Sequence, residues 1–152
     1  MTVVQITRIE AANLAELLRQ FRELMDAADN ADPAVQRLTP DAYPDDTEAS
    51  RQFRDLTASD LLSRRQEDAQ TVLETLGVPF EMPRTDTESL EEVTIALSPE
   101  QFEAWLRSLA ALRLVLASRL GVSDEDDHDE DDPRFGVYDW LGYRLEMLVQ
   151  QA

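Results

Sequence analysis

The chain has 152 residues, enough for one domain with a sizeable core, and 43% of them are hydrophobic, which argues against wholesale disorder. It contains no cysteine, so disulfides, thiolate metal sites and thiol catalysis are excluded. The formal charge of -18, from 14 basic and 32 acidic residues, repels phosphate backbones and anionic membranes and attracts cations and basic protein surfaces. Removing the eight carboxylates of Asp124–Asp132 still leaves -10, so the acidity is global. No apolar run reaches membrane-spanning length, and `MTVVQITRIE` lacks the basic start and long apolar stretch of a signal peptide. The expectation is a cytoplasmic chain with no membrane contact and no direct nucleic-acid contact.

`VVQITRI`, Val3–Ile9, is short and β-branched and reads as a strand. Ala11–Ala28 follows with helical spacing, placing Leu14, Leu17, Leu18, Phe21, Leu24 and Met25 on one side. The three prolines of `DNADPAVQRLTPDAYPDD` interrupt that pattern, and Asp32-Pro33 suits the start of a helical turn. Thr47–Asp55, carrying Phe53, reads as a short helix. A second begins at a cap on Thr57 or Ser59 and runs to Leu76, where Gly77 terminates it. `VPFEMPRTDTESLEE` reads as a connection, and `VTIAL`, Val93–Leu97, as a second strand. A lone strand leaves its backbone groups unsatisfied, so the two strands are predicted to pair.

`SPEQFEAWLRSLAALRLVLASRLG` gives the strongest helical signal. Ser98 caps, Pro99 takes the first helical position, Gln101 completes a capping box and Gly121 ends the run. Phe102, Leu106, Leu109, Leu116, Ala117 and Leu120 share a broad apolar side, flanked by Trp105 and Leu112. Pro133–Gln151 is a final helix with Val137, Leu141, Leu145 and Leu148 inward. The predicted fold class is mainly α: a compact bundle of about five helices around a central helix 99–120, with a small sheet pairing 3–9 with 93–97. One acidic domain spans 1–152, and 123–133 is a flexible acidic connection within it.

That connection holds Asp124, Glu125, Asp126, Asp127, His128, Asp129, Glu130, Asp131 and Asp132. An EF-hand-type loop needs a central glycine and a closing glutamate. Counted from Asp124, those positions are Asp129 and Phe135; counted from Asp127, they are Asp132 and Tyr138. Both registers fail, and one histidine without cysteine does not make a structural zinc site. The run reads as a solvated connection, with a docking surface for a basic partner as the functional alternative.

Two arginines project into apolar stripes: Arg113 between Leu106, Leu109 and Leu120, and Arg65 beside Leu61, Ala69 and Leu76. A half-buried guanidinium needs a paired acceptor, which points to an internal network or to an interface. Asp60, Asp139 and Glu146 are conceivable partners, and Arg144, at the rim of its stripe, is the weaker candidate. Trp105, Tyr138, Trp140 and Tyr143 read as packing residues, and Tyr43 as a loop anchor or a contact. The lone histidine lies in the segment least suited to hold a catalytic base, and the four scattered glycines form no phosphate-binding loop. No catalytic, cofactor-binding or metal residue is assigned, and no cofactor is expected.

The blocks `DPAVQRLTPDAYPDDTEASRQFRDLT`, `LRSLAALRLVLASRLGV`, the acidic run and `YDWLGYRLEMLVQ` together resemble a family of small actinobacterial proteins. It is the domain-of-unknown-function family numbered two thousand and seventeen, and the resemblance spans about Val3 to Val149. It implies a cytosolic protein with no assigned activity. The family's genes often lie near that of the ClpS adaptor, which implies a link to Clp proteostasis. Asp41, Tyr43, Arg113, Tyr138, Asp139 and Trp140 match the recurring blocks and are fold or interface candidates. The leading expectation is a non-enzymatic interaction or regulatory domain that binds a basic protein surface. The alternatives are a carboxylate-based, divalent-metal-dependent protein or enzyme, and a nucleic-acid mimic directed at a basic protein. Homo-oligomerisation through the broad apolar side of 98–120 is a further possibility.

Overall fold

β1 (Thr2–Thr7) runs directly into α1 (Arg8–Ala27) in the computed structural model, which describes residues 2–27, 32–38, 47–77, 83–121 and 132–151. The predicted strand extended to Ile9, but it ends two residues earlier for a local reason. Thr7 Oγ1 accepts from the Glu10 backbone N–H at 3.3 Å, and Glu10 Oε1 accepts from the Thr7 N–H at 3.1 Å. This reciprocal capping box starts the helix at Arg8 despite the β-branched Ile9.

β1 pairs antiparallel with β2 (Glu92–Leu97), so the predicted long-range pairing is present. Val4 lies opposite Ile95 and Ile6 opposite Val93. Val4, Ile6, Ile95 and Leu97 are buried, while Val3, Gln5, Thr94 and Ala96 on the other face are exposed. Two strands alone are marginal in water. This pair is held by burying its inner face in the cluster that also contains Leu14, Leu18, Trp105 and Leu109.

α2 (Pro33–Leu38) begins where Asp32-Pro33 indicates. Asp32 accepts from the Ala34 N–H at 2.9 Å and from both terminal nitrogens of Arg119 at 2.7 Å, which ties the short helix to the later one that packs on it. α3 (Thr47–Leu76) is one continuous helix of 30 residues, not two. Thr57 and Ser59 have the right chemistry for caps, but no proline or glycine lies between Thr47 and Leu76 to stop the helix. A threonine or serine in a helix interior costs only tenths of a kcal/mol, about 0.5. Gly77 ends α3 at φ 80°, in the left-handed region that glycine adopts readily. A single turn, α4 (Asp86–Ser89), capped by Thr85, sits inside the predicted connection.

α5 (Pro99–Leu120) is the interior rod. Ser98 and Gln101 form the expected capping box, and Gly121 closes the helix at φ 76°. α2, α3 and α6 (Gly136–Gln150) all pack against it. Its buried centre is rotated from the predicted one. Phe102, Trp105, Leu109 and Leu112 are buried with Ala104, Ser108 and Ala111, while Leu106, Leu116 and Leu120 are half-buried.

The final helix begins as a 3₁₀ turn, Pro133–Phe135, and becomes α-helical at Gly136. Val137, expected inward, is 46% exposed, and Tyr138 is buried instead. Leu141, Leu145 and Leu148 keep the expected side. At about 100° per residue Val137 and Tyr138 fall on either side of their common direction, and it is the Tyr138 ring that packs, against Arg113 and Phe135. The described residues thus form a mainly α bundle of six helices, one of them a single turn, around a long central helix with a two-strand sheet. Among them, no helix is long and apolar enough to cross a membrane.

Candidate functional site

α6 has two flanks of different construction. The flank toward α5 centres on buried apolar contacts, with a cavity of about 470 Å³ at its edge between Arg37, Arg113, Leu114, Tyr138 and Leu145. Leu141 is fully buried, and the Arg113 guanidinium lies 4.2 Å from the centre of the Tyr138 ring. One turn on, Gly142 leaves the space that Arg113 fills: a Cβ there would meet Arg113 Nε at 3.0 Å and Nη2 at 3.1 Å. Phe135 meets the edge of Tyr138 with ring centres 6.5 Å apart. Arg113 is half-buried, as its stripe predicted, and an aromatic face and a bare stretch of helix backbone accommodate it.

The other flank faces β1 and α1, and α6 does not pack closely on α1 as it does on α5. A polar bridge spans the gap. Trp140 donates its indole N–H to Glu10 Oε2. Arg144, one turn further, donates to both Glu10 oxygens, with contacts of 2.7–3.1 Å, and its Nη1 reaches the Gln5 carbonyl at 3.0 Å. The side chains of Arg144 and Glu10 are only 17% and 22% exposed. Burial tends to raise the Glu10 carboxyl, but the donors from Arg144, Trp140 and Thr7 outweigh it and hold the group below its ordinary value. One carboxylate therefore caps α1, fixes an indole and neutralises an arginine.

Two cavities open on either side of that bridge. The first, about 310 Å³, lies between β1 and α6; Val3, Ile6, Trp105, Met147 and Leu148 give it apolar walls, with Trp140 and Arg144 at one side. The second, about 390 Å³, lies between α1 and the start of α6, lined by Glu10, Asn13, Glu16, Leu17, Val137 and Trp140. Outside them, Val3, Val137, Tyr143 and Met147 are exposed. The pattern is an apolar face around a fixed indole. The volumes fall at the lower end of the range for small-molecule sites, roughly 300–1,000 Å³, and suit one or two side chains.

The sequence candidates scatter over this frame. Arg113 and Tyr138 come together, and Trp140 joins Arg144, the arginine ranked lower in the sequence. Asp139 is half-buried between the two flanks. Arg65 is half-buried elsewhere, beside Leu61, Arg64 and Arg107 at the α3–α5 surface. Asp60, one of the carboxylates considered for the stripe arginines, pairs with Arg64, while Arg107 takes Asp68 in a two-point contact at 2.9 Å. Asp41, Tyr43 and 124–131 lie outside the described residues. Asp132, the last of the acidic run, caps the 3₁₀ turn by accepting from the Arg134 N–H at 3.0 Å. Among the described residues, no three histidine, aspartate or glutamate side chains are placed to share a metal ion.

Glu10 was missed in the sequence. The signal was Thr7-Arg8-Ile9-Glu10, a capping box hidden by extending the strand through Ile9. Its pairing with Arg144, 134 positions away, has no local signature. No curated protein and no solved structure matches the chain. A family model does match it, over residues 2–152, and the chain belongs to that family, Domain of unknown function (DUF2017).

Proposed function

We propose that the chain is a non-enzymatic interaction domain that binds another protein through the outer face of α6 beside β1. The observation that carries this reading is the set of exposed apolar side chains on this face: Val3 and Met147 at a cavity whose indole wall is already fixed by Glu10 and Arg144, Val137 at the neighbouring cavity, and Tyr143 on the same helix. Contiguous exposed apolar surface marks binding sites more often than random surface does. A wall fixed in advance lowers the ordering cost of association. The charge of -18 favours a basic partner through faster encounter and exclusion of acidic ones. The proposed setting is the cytosol, and Clp components are candidate partners through the family's gene neighbourhood.

The test is capture from native cytosol at several salt concentrations, with the wild type and a Tyr143→Asp/Met147→Asp variant. Both positions are exposed, so folding is retained. The expected result is a specific protein held by the wild type and lost by the variant. Absence of any specific partner at every salt concentration overturns the reading.

A further inference from the structure

Resting on that reading, we infer that the cavity between β1 and α6 takes one bulky apolar side chain of a partner segment that carries lysine or arginine beside it. The cavity's chemistry fixes the first half of this assignment. Its walls are mostly aliphatic and aromatic, with Gln5 and Gln151 among them, and its charged member among the described residues, Arg144, is turned to Glu10 and to the Gln5 carbonyl. A charged group entering there would lose water and find its natural partner already engaged. An aliphatic or aromatic group loses only its contact with water and gains the sides of Trp105, Trp140, Met147 and Leu148.

The surroundings fix the second half. Arg144, the charged side chain of the cavity lining, is neutralised by Glu10, and Glu16 at the neighbouring cavity is paired with Arg19 at 3.3 Å. The pairs at this face are locally balanced, and the field a partner meets is that of the whole chain, with net charge -18. A segment with an apolar anchor and flanking cations complements both the cavity and the chain's negative field, its cationic stems lying along apolar surface. A second copy of this chain is a poorer occupant, since it brings the same excess of negative charge to the contact.

The backbone edge beside the cavity limits how the segment lies. Arg8 N–H bonds to the Glu91 carbonyl, which extends the sheet register by one pair. Backbone groups alternate in an antiparallel ladder, so those of Val3, Gln5 and Thr7 face away from β2. Arg144 takes the Gln5 carbonyl, and Glu10 takes the Thr7 N–H. A third strand on that edge would have to displace Arg144 from the Gln5 carbonyl and Glu10 from the Thr7 N–H, so the segment is held by its side chain in the cavity.

A random dodecapeptide library displayed on phage, selected on the full chain and separately on its Met147→Trp variant, tests the inference. Met147 is 37% exposed at the mouth, so the larger ring obstructs the cavity without disturbing the core. The wild type is expected to enrich peptides with a leucine, methionine or aromatic residue flanked by lysine or arginine. Those peptides should bind the variant at least about tenfold more weakly, and should lose a similar factor when the anchor becomes alanine. Enrichment of no such pattern, or equal binding to both proteins, overturns the inference, as does a wild-type dimer in light scattering that Met147→Trp abolishes. The two readings fail separately. Cytosolic capture that survives Met147→Trp overturns the anchor cavity and leaves the interaction domain standing, whereas no capture by the wild type removes the interaction domain itself.

Discussion

The two flanks of α6 each receive an arginine, and they treat it differently. Toward α5, Arg113 is laid against Tyr138 and the backbone at Gly142, within a flank where Leu141 is fully buried. Toward β1 and α1, Arg144 is held by Glu10 across a gap with cavities on both sides. The first flank is anchored by the buried Leu141 and Tyr138, with a cavity of about 470 Å³ beside Arg113. The second is held by directional bonds that keep a surface open. A polar bridge can fix the position of Trp140 without filling the space around it, and close packing cannot do that.

Substitutions that tell these flanks apart follow in order of expected size. Leu141→Ala on the packed flank should cost about 2–5 kcal/mol, seen as a lower denaturant midpoint, because the site is fully enclosed and collapses poorly. A loss below about 1 kcal/mol would mean that this flank is not the tight one. Arg144→Ala should cost less, about 1–3 kcal/mol, since it leaves Glu10 partly buried without its cation but with other donors. A double-mutant cycle with Glu10→Ala should show a coupling of roughly 1–2 kcal/mol. Additive effects would mean that the bridge does not act as a unit.

Gly142→Ala sharpens the contrast further. Alanine favours a helix over glycine by about 1 kcal/mol, but its Cβ presses on Arg113 at 3.0 Å. The change should therefore be close to neutral in the wild type and stabilise by about 0.5–1 kcal/mol once Arg113 is alanine. Equal stabilisation in both backgrounds would show that Arg113 does not occupy that space.

The smallest effect is on pH dependence. The Glu10 carboxyl titrates below its ordinary 4.5 in the folded chain, so its contribution is complete above that value and is lost as pH falls through the folded one. The stability difference between wild type and Glu10→Gln should be constant near neutrality and narrow on acidification below about 4.5. Asp32, held down to about 2 by Arg119 and the Ala34 N–H, responds at still lower pH. A Glu10→Gln difference that widens with acid contradicts the assignment.

Features written locally were legible in the sequence. Ser98, Pro99, Gln101 and Gly121 bound α5 because caps are short-range chemistry, and the β-branched runs gave both strands and their pairing. Errors arose where two local rules competed or where tertiary context decided. A cap-type residue at Thr57 or Ser59 suggested a break that an uninterrupted helix ignores. On α6 the inward side was right for Leu141, Leu145 and Leu148, but at its first turn, where Val137 and Tyr138 lie on either side of that direction, Tyr138 is buried and Val137 is exposed. The apolar stripes correctly marked Arg113 as half-buried, but ranked Arg144 too low, because its partner lies on the first helix and no spacing rule connects them.

The indole N–H signals of Trp105 and Trp140 offer the most direct measurement. The chain has only these two tryptophans, and Trp105 donates to Thr75 at 2.9 Å on the interior side of the bundle. During titration of isotope-labelled chain with a captured partner, the Trp140 signal should move progressively and saturate, and the Trp105 signal should move with it, because both rings line the cavity. Saturable binding that leaves the Trp140 signal in place contradicts the account.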